Sequence, residues 1–333
     1  MTGLFDPIVI NGLELKNRIV MAPMATNMAT PEGRVTERHI RHYTARAEGG
    51  VGLIILEHTY VAIEGKLARN QTGLYDDNLV PDLKQLVDAI HQAGAKVIIQ
   101  LTHAGARTTR ETTGSKPVGP SAVKLPDGIE TPKALTISEI KSIVSAFTKS
   151  TRRAIEAGCD GVELHGAHGF LLNQFISPYT NHRKDEYGGS LENRVRFATE
   201  TIQGVKDILE NKPLFYRFGA DDMIEGGLTP EEGRKVVPLL EQAGVSVLNI
   251  SGGLGVGDSF GFTGQGFFVP LAEGIKSVVT IPVIGVGNIT EPEFADKIIR
   301  EKRVDLIAIG RKLLSDPDFP LKAAKKLGLD SKS

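Results

Sequence analysis

Short apolar segments alternate with longer amphipathic segments along most of the chain. The apolar segments have the length of strands, and in the stretch after each one the apolar residues recur at helical spacing. The predicted strands are Arg18–Ala22, Gly52–Glu57, Lys96–Leu101, Asp160–His165, Pro213–Phe218, Ser246–Ser251, Ile281–Val286 and Val304–Gly310. The predicted helices are Thr36–Ala47, Pro81–Ala93, Ile137–Glu156, Leu191–Leu209, Pro230–Ala243, Pro270–Ser277, Glu291–Arg300 and Lys312–Leu327.

The segment boundaries carry helix start and stop signals. Thr229-Pro-Glu-Glu supplies an N-cap, a proline in the first turn and two acids. Gln92-Ala-Gly-Ala and Gln242-Ala-Gly-Val place a glycine between the end of a helix and the next strand. Eight strand–helix pairs of this kind predict an α/β fold, a single (β/α)8 TIM barrel that spans residues 1–333 as one domain.

Three connections are longer than a barrel requires. They follow strands 3, 4 and 6, at His103–Leu135, Gly166–Ser190 and the glycine-rich Gly252–Phe267. Because each follows a strand, all three should lie at the C-terminal mouth, where barrels of this type carry their active sites. Ahead of the first strand, Ile8-Val-Ile-Asn-Gly-Leu-Glu-Leu predicts a β-hairpin that closes the bottom of the barrel.

Composition narrows the class of protein. The 39 Lys and Arg residues nearly balance the 40 Asp and Glu residues, which argues against a nucleic-acid or membrane-surface protein. Cys159 is the single cysteine, so the chain can form neither an intrachain disulfide nor a cysteine-ligated iron–sulfur cluster. We find no signal-peptide pattern and no apolar run long enough to span a bilayer, and we expect a cytoplasmic protein.

Polar residues cluster at the C-terminal ends of the predicted strands, where an apolar barrel gives them no packing role. These residues are Glu57, His58, Gln100, Glu163, His165, Arg217, Asn249 and Ser251. A single residue of this kind could be a hydrogen-bonded capping group. The whole set at one end of the barrel favours a functional site.

Strands 7 and 8 end in features of a phosphate site. Gly285-Val-Gly287 closes strand 7, and Gly310-Arg311 follows strand 8. Glycine lets backbone N–H groups approach an anion, and arginine can bind it with two donors. Phosphate sites in TIM barrels often use these two loops. A phosphorylated cofactor and a sugar phosphate both fit.

His165-Gly-Ala-His168 lies at the end of strand 4. No third ligand stands at a fixed spacing, so we predict no metal site here. Two histidine donors at a barrel mouth are better suited to bind an oxygen that develops negative charge.

The motif that begins at His165, HGAHGFLLNQFISP, strongly resembles the Old Yellow Enzyme family, as does NHRKDEYGGSLENR from Asn181. Further matches are NRIVMAPM from Asn17, QLTHAG from Gln100, GVGN from Gly285 and Gly310-Arg311. That family comprises FMN-dependent ene-reductases and the related 2,4-dienoyl-CoA reductases, bile-acid enoate reductases and trimethylamine dehydrogenases.

The resemblance implies a role for each matching residue. His165 and His168 would bind the substrate carbonyl oxygen, so that the β-carbon accepts hydride from flavin N5. Gln100 would hydrogen-bond the pyrimidine edge of non-covalent FMN, and Arg217 would lie near N1 and O2. The flavin wall would be Pro23, Met24 and Ala25, with His58 beside the ring, and the phosphate ligands would be Gly287, Asn288, Gly310 and Arg311.

Two positions depart from the family pattern. The usual proton-donor tyrosine is replaced by Phe170, which has no proton to give. Tyr60, His58 and Tyr179 are alternative donors that the sequence does not rank, and water is another. Ala25 stands where the family often has threonine or cysteine in contact with the flavin, and this should alter the redox potential.

Four functions follow from these observations. The first is an ene-reductase that moves hydride from NAD(P)H through FMN to an activated C=C bond of an enone or enoyl-CoA. The second, motivated by Phe170, is an FMN-dependent dehydrogenase or C=C isomerase without net reduction. An amine dehydrogenase ranks low because a lone cysteine cannot hold a cluster. A flavin-free lyase or isomerase acting on a sugar phosphate is the fourth.

The same observations predict the reductant, the substrate class and the oligomeric state. With no cluster to relay electrons, reductant and small-molecule substrate would use one mouth in turn, in a ping-pong cycle. Arg107 and Arg110 could meet a phosphate of NADPH or CoA, although such arginines are more often solvated surface residues. By analogy with the family we expect a homo-oligomer.

Overall fold

The computed structural model describes residues 2–254 and 264–329. Eight parallel strands close into a barrel in chain order, as the alternation of segments predicts. The barrel strands are β1 (Ile19–Met21), β2 (Leu53–Tyr60), β3 (Lys96–Thr102), β4 (Val162–Gly166), β5 (Leu214–Gly219), β6 (Val247–Ser251), β7 (Val283–Gly285) and β8 (Leu306–Ile309). Each is paired in parallel with its two neighbours, and β8 is paired with β1.

Helices follow the strands and surround the barrel. They are α1 (Glu37–Glu48), α2 (Val80–Gln92), α3 (Ile137–Glu156), α4 (Leu191–Leu209), α5 (Pro230–Ala243), α6 (Val269–Lys276), α7 (Pro292–Arg300) and α8 (Phe319–Lys326). Short helices also form at Arg110–Thr113, Leu171–Ile176 and Arg311–Ser315, with 3₁₀ turns at Ile63–Gly65, Asp77–Leu79 and Gly105–Arg107.

The hydrophobic core has two layers. Outward-facing strand residues such as Leu164 and Val162 pack against the buried faces of the helices. Inward-facing residues such as Ile98 and Phe215 fill the barrel axis. Two layers arise because successive residues of a strand point to opposite faces, so both sides of the sheet are buried.

The predicted hairpin closes the barrel. Ile8–Ile10 pairs antiparallel with Leu13–Leu15 across Asn11 and Gly12. Both turn residues have positive φ, 45° and 77°, which two-residue hairpin turns of this kind require. Leu15 is fully buried and packs with the barrel-axis residues.

Local signals set most helix boundaries to within one or two residues. Thr229 accepts a hydrogen bond from the Glu232 amide at 3.3 Å as the N-cap of α5. The predicted eighth helix is wrong as a single element, because Lys312–Leu327 separates into Arg311–Ser315 and α8. Pro317 explains the break, since proline lacks the amide hydrogen and disfavours a helical residue before it.

The mouth loops are more numerous than predicted. The loops after β3 and β4 are long, as expected, and contain the short helices described above. Within the predicted loop Gly252–Phe267, residues 255–263 lie outside the described part of the chain. The connections after β1 and β2 are also long, which the apolar pattern did not reveal, and they carry side chains that fix the site.

Cys159 lies in the turn between α3 and β4 and is fully buried. Burial raises the pKa of its thiol to about 12, so the side chain packs as a small apolar group. In the described ranges, no helix has the length and apolar character needed to cross a bilayer. The same residues contain no group of three or more His, Cys, Asp or Glu side chains suited to a metal ion.

Two glycines test the packing of the barrel. A Cβ at Gly166 would lie 2.2 Å from the ring of fully buried Tyr216. We therefore expect Gly166→Ala to lower the free energy of unfolding by roughly 1–3 kcal/mol. The control is Gly274→Ala in α6, where a Cβ meets only Arg234 at 3.7 Å, and a gain of roughly 0.5–1 kcal/mol is expected. Urea unfolding measures both, and equal stabilities would contradict the packing at Gly166.

Candidate active site

A cavity of about 320 Å³ lies at the C-terminal mouth of the barrel. Seven of the predicted site residues line it, and they come from the loops after β1, β4, β7 and β8 and from β5 itself. These residues are Met24, His168, Arg217, Gly287, Asn288, Gly310 and Arg311. Ser251, predicted as one of the polar residues at the strand ends, also lines the cavity, and so do Phe267, Phe268 and Lys312, which had no predicted role.

One end of the cavity is built for an anion. Gly287 has φ of 119°, and a Cβ there would lie 2.7 Å from the Phe267 amide nitrogen, so only glycine fits this turn. A Cβ at Gly310 would lie 2.7 Å from the Met24 sulfur. Arg311 and Lys312 begin the helix after β8 and face the same cavity. The predicted phosphate residues are therefore brought together.

The side chains of His168, Ser251 and Arg217 form a connected group at the other end. His168 Nε2 lies 2.7 Å from the Ser251 hydroxyl oxygen, which also accepts a hydrogen bond from Arg217 at 3.1 Å. His168 has φ of 58° and Gly169 has φ of 68°, so the chain turns sharply just after β4. After this turn the His168 ring contacts Ser251 at the end of β6.

A buried carboxylate lies one layer below this group. Glu163 is fully buried and accepts hydrogen bonds from Gln100 Nε2 and Asn249 Nδ2, each at 2.8 Å. Burial raises the pKa of Glu163, against the opposing effects of the Arg217 charge and the two amide bonds. Gln100 is thereby held with its amide nitrogen toward Glu163.

Two atoms around this carboxylate lack partners. Arg217 Nε and Asn249 Oδ1 are buried and have no hydrogen-bond partner. Leaving such atoms unpaired is costly, so an unpaired donor and acceptor near one cavity point to a ligand that has both. The pyrimidine edge of a flavin has both a donor and acceptors.

FMN fits these observations. The cavity has three cations, Arg217, Arg311 and Lys312, and no carboxylate among the described residues that line it. Such a lining suits a ligand with a phosphate and a ring system that becomes anionic on reduction. The residues that would hold FMN are Arg217, Gln100 and Met24 at the ring and Gly287, Asn288, Gly310 and Arg311 at the phosphate.

The loop that carries Pro23, Met24 and Ala25 is held by a second buried carboxylate. Thr26 donates to Glu57 from both its amide and its hydroxyl, the latter at 3.0 Å. Glu57 also contacts His39 of α1 at 2.9 Å and accepts from Thr72 at 2.7 Å. Burial opposes ionisation, but these bonds outweigh it and lower the pKa of Glu57.

The prediction that Glu57 joins the mouth residues is therefore wrong. Its carboxylate faces α1, because Glu57 contacts His39 there. Its function is to fix Thr26, and through Thr26 the predicted flavin wall. Of that wall, Met24 lines the cavity, whereas Pro23 and Ala25 are not among its lining residues.

Phe170 lies between two imidazole rings. Its ring stacks on His165 with centroids 4.3 Å apart and lies 5.5 Å from His58. Only 5% of Phe170 is exposed. His165 and His168 meet edge to face, with centroids 5.0 Å apart. The position expected for a proton donor is thus filled by an apolar ring in direct contact with His165, one of the two histidines predicted to bind the substrate.

The tautomer of His58 follows from Gln71. The Leu67 amide donates to Gln71 Oε1 at 2.7 Å, which fixes the amide orientation. Gln71 Nε2 then lies 2.6 Å from His58 Nδ1, so Nδ1 accepts and the proton of the neutral ring is on Nε2. Neither His58 nor His165 is among the cavity-lining residues.

Of the three alternative donors, His58 alone contacts Phe170. The Tyr60 hydroxyl donates to the Glu32 carbonyl at 3.2 Å and is directed away from the site. Tyr179 packs with Ala106, Leu125 and Leu254 in a separate cluster.

Several side chains that fix the site were not identified from the sequence. Asp222 is fully buried and accepts hydrogen bonds from the Leu228 and Leu254 amides at 2.7 and 3.0 Å, so it ties the loops after β5 and β6 together. Gln71 and Thr72 lie in a loop without periodicity, and Gln174 lies in the short helix Leu171–Ile176, inside the predicted loop after β4. Hydrophobic periodicity therefore identifies none of the three.

The neutral state of His165 and His168 can be tested by the pH dependence of the free energy of unfolding. Burial first, and then the charge of Arg217 and Arg107, holds the pKa of His168 well below its ordinary value of 6.5. His165 is lowered in the same way, by burial and by His168. We expect both to stay neutral in the folded protein as the pH falls below 6.5, while the unfolded chain takes up protons. The free energy of unfolding should therefore decrease over that window.

Urea unfolding of the wild type, His165→Asn and His168→Asn at several pH values measures this. The unfolded chain of each variant has one histidine fewer to protonate. The free energy of unfolding of each variant should therefore fall less steeply below pH 6.5, by up to about 1.4 kcal/mol per pH unit. Identical slopes in all three proteins would contradict the neutral state of the pair.

Comparisons with known proteins identify the family of this chain. The model of the NADH:flavin oxidoreductase / NADH oxidase family matches residues 3–330. The NADH oxidase of Thermoanaerobacter brockii is 48% identical over 329 residues, 96% of this chain and 50% of that protein. A NADPH dehydrogenase of a Geobacillus species is 41% identical over 328 residues, 98% of this chain and 95% of that protein.

Solved structures show the same relationship. An old yellow enzyme homologue from Zymomonas mobilis has a TM-score of 0.87 at 31% identity, covering 98% of this chain and 93% of that one. A 2-naphthoyl-CoA reductase in complex with 2-naphthoyl-CoA has a TM-score of 0.92 at 31% identity, covering 97% and 52%. The chain thus spans about half the length of this reductase and of the T. brockii protein. With its motifs, its barrel and its cavity in agreement, the chain belongs to the NADH:flavin oxidoreductase / NADH oxidase family, in which the Old Yellow Enzymes are found.

Proposed function

We propose that the protein is an FMN-dependent ene-reductase that transfers hydride from NAD(P)H to an activated C=C bond, of an enone or an enoyl-CoA. The observation that carries this proposal is the joint placement of His168, Ser251 and Arg217 at one end of a cationic cavity. When bound, FMN supplies a two-electron carrier that accepts hydride from NAD(P)H and passes it to the acceptor.

The two histidines bind and polarise the substrate. Their low pKa values keep both rings neutral, so each can offer one N–H to a carbonyl oxygen without carrying a charge. Two donors aimed at this oxygen stabilise the negative charge that grows on it when hydride reaches the β-carbon. Phe170 packs on His165 and excludes water from one face of the ring.

Arg217 stabilises the reduced state of the site. It is buried, its charge acts on the buried Glu163, and its Nε has no hydrogen-bond partner among the described residues. A fixed positive charge in a low-dielectric site favours an anionic neighbour. The Ser251 hydroxyl holds Arg217 and His168 in one group, so the donors for cofactor and substrate are positioned together.

The described residues offer one mouth cavity lined by these groups, so reductant and acceptor would use it in turn, in a ping-pong cycle. We also expect the acceptors to be small molecules, the protein to form a homo-oligomer and its electron transfer to use no iron–sulfur cluster.

The visible spectrum of the purified protein tests this function. We expect a yellow protein that is bleached by anaerobic NADPH or NADH and regains its colour when an enone is added. A flavin that is reduced but never reoxidised by any member of an enone panel would contradict ene-reduction. A colourless protein that cannot be reconstituted with FMN would favour the flavin-free lyase or isomerase instead.

Phe170 favours a second function, dehydrogenation or C=C isomerisation without net reduction. If the missing hydroxyl limits enone reduction, Phe170→Tyr should raise kcat by about a hundredfold or more, since a positioned proton donor contributes on that scale. Phe170→Leu is the control, because it removes the ring stacked on His165 without adding a hydroxyl. No rise in Phe170→Tyr would mean that another group or water delivers the proton, or that the physiological reaction needs none.

A further inference from the structure

Arg107 is a largely buried cation beside the histidine pair to which the proposed function gives no role. Its side chain is only 16% exposed. A Cβ at Gly169 would lie 3.0 Å from Arg107 Nε, so the guanidinium packs against the turn that connects His168 to Phe170. Through this contact with Gly169, Arg107 lies at the same turn as His168, and its charge contributes to the lowered pKa of both His165 and His168.

The backbone around Arg107 is held rigidly. Gln174 is fully buried, accepts a hydrogen bond from the Ala106 amide at 3.1 Å, and donates to the Ala104 and Gly169 carbonyls at 3.1 and 2.6 Å. One amide side chain thus joins the Gly105–Arg107 turn to the turn after β4. A guanidinium on such a support is pre-organised for a ligand.

Not every hydrogen-bond donor of the Arg107 guanidinium has a partner. Among the described residues it forms an ion pair with Asp127, at 2.5 Å, and the Asp127 side chain is 60% exposed. Its Nε is buried without a hydrogen-bond partner. A carboxylate that is mostly in water binds a cation weakly and exchanges readily, so Asp127 can give way to a ligand.

We propose that Arg107 binds an anionic group, a carboxylate, on the acceptor substrate, and that it selects such substrates over neutral ones. The substrate carbonyl oxygen would lie between His165 and His168, and its carboxylate would replace Asp127 on the guanidinium. A planar guanidinium with two adjacent donors binds a carboxylate with defined geometry. This inference rests on the proposed function.

Kinetics with a matched pair of acceptors test the proposal. The pair is 3-oxocyclohex-1-ene-1-carboxylate and its methyl ester, which differ in charge and share the enone. Arg107→Gln should raise KM for the carboxylate by about tenfold to a hundredfold, the scale of one charge-assisted hydrogen bond, and leave KM for the ester within about twofold. Arg107→Lys should recover part of the loss.

Arg110 provides the matched control, since it belongs to the same loop but is exposed. Arg110→Gln should leave both KM values unchanged. Asp127→Asn should lower KM for the carboxylate, because it removes the competing anion. Equal changes for carboxylate and ester in Arg107→Gln, or no change for either, would overturn the proposal.

The same variants separate the substrate from the reductant. If Arg107→Gln raises KM for NADPH but not for NADH or the carboxylate, the bound anion is the reductant's phosphate, and the assignment to the substrate is overturned. Turnover of neither enone by the wild type would count against the proposed function alone.

Calorimetry then still tests Arg107 without turnover. Benzoate should bind the FMN-loaded wild type more tightly than benzamide by about tenfold or more, and Arg107→Gln should abolish this preference. Equal affinity of the wild type for the two probes would overturn the proposal. Flavin absorbance in each variant confirms that the protein is folded and loaded.

Discussion

The structure of the site depends on one buried carboxylate in the barrel axis. Glu163 is fully buried, and a charge in that position is tolerated only with hydrogen-bond partners and a nearby cation. Gln100 of β3 and Asn249 of β6 supply the hydrogen bonds, and Arg217 of β5 supplies the charge. Since these residues come from strands on both sides of β4, satisfying Glu163 fixes the orientation of the polar layer directly below the cavity. The unpaired atoms that remain, Arg217 Nε and Asn249 Oδ1, are those left for a ligand.

A second buried carboxylate, Glu57, faces the outside of the barrel, and its pKa is shifted in the opposite direction to that of Glu163. Glu57 lies outside the barrel axis and connects β2 to α1 through His39 and to the loop after β1 through Thr26. Its bonds lower its pKa, whereas burial dominates at Glu163 and raises the pKa there. The two glutamates thus have different tasks, since one organises residues inside the barrel and the other holds the loop that carries Met24 from outside.

Most of the fold could be predicted from the sequence, but only part of the site could. Strand and helix periodicity, caps such as Thr229 and the Asn11-Gly12 turn are local properties, so the eight strands and the first seven helices appear in the structure as predicted, and the eighth helix is divided in two. The residues after β7 and β8 that are predicted to bind a phosphate could be identified because glycine and arginine at strand ends have a local signature, and they line one cavity in the structure. The partners Gln71, Gln174 and Asp222 were missed, because polar residues of the segments between barrel strands leave no periodic signal. Glu57 was misplaced for a different reason: the register of β2 against β3 shifts between Leu56 and Thr59, so the in–out alternation of the strand does not continue regularly through Glu57.

By itself, the sequence determined the order of elements, the hairpin at the barrel bottom, the family motifs and the substitution at Phe170. These depend on neighbours within a few residues or on a motif read directly from the chain. The tertiary structure alone decided which polar atoms meet: Phe170 between His165 and His58, Ser251 between His168 and Arg217, and Arg107 against Gly169. The physical reason is closure of the barrel, which brings residues from distant parts of the chain to one mouth. Each buried polar group there must form hydrogen bonds with residues that are its neighbours only in the folded protein.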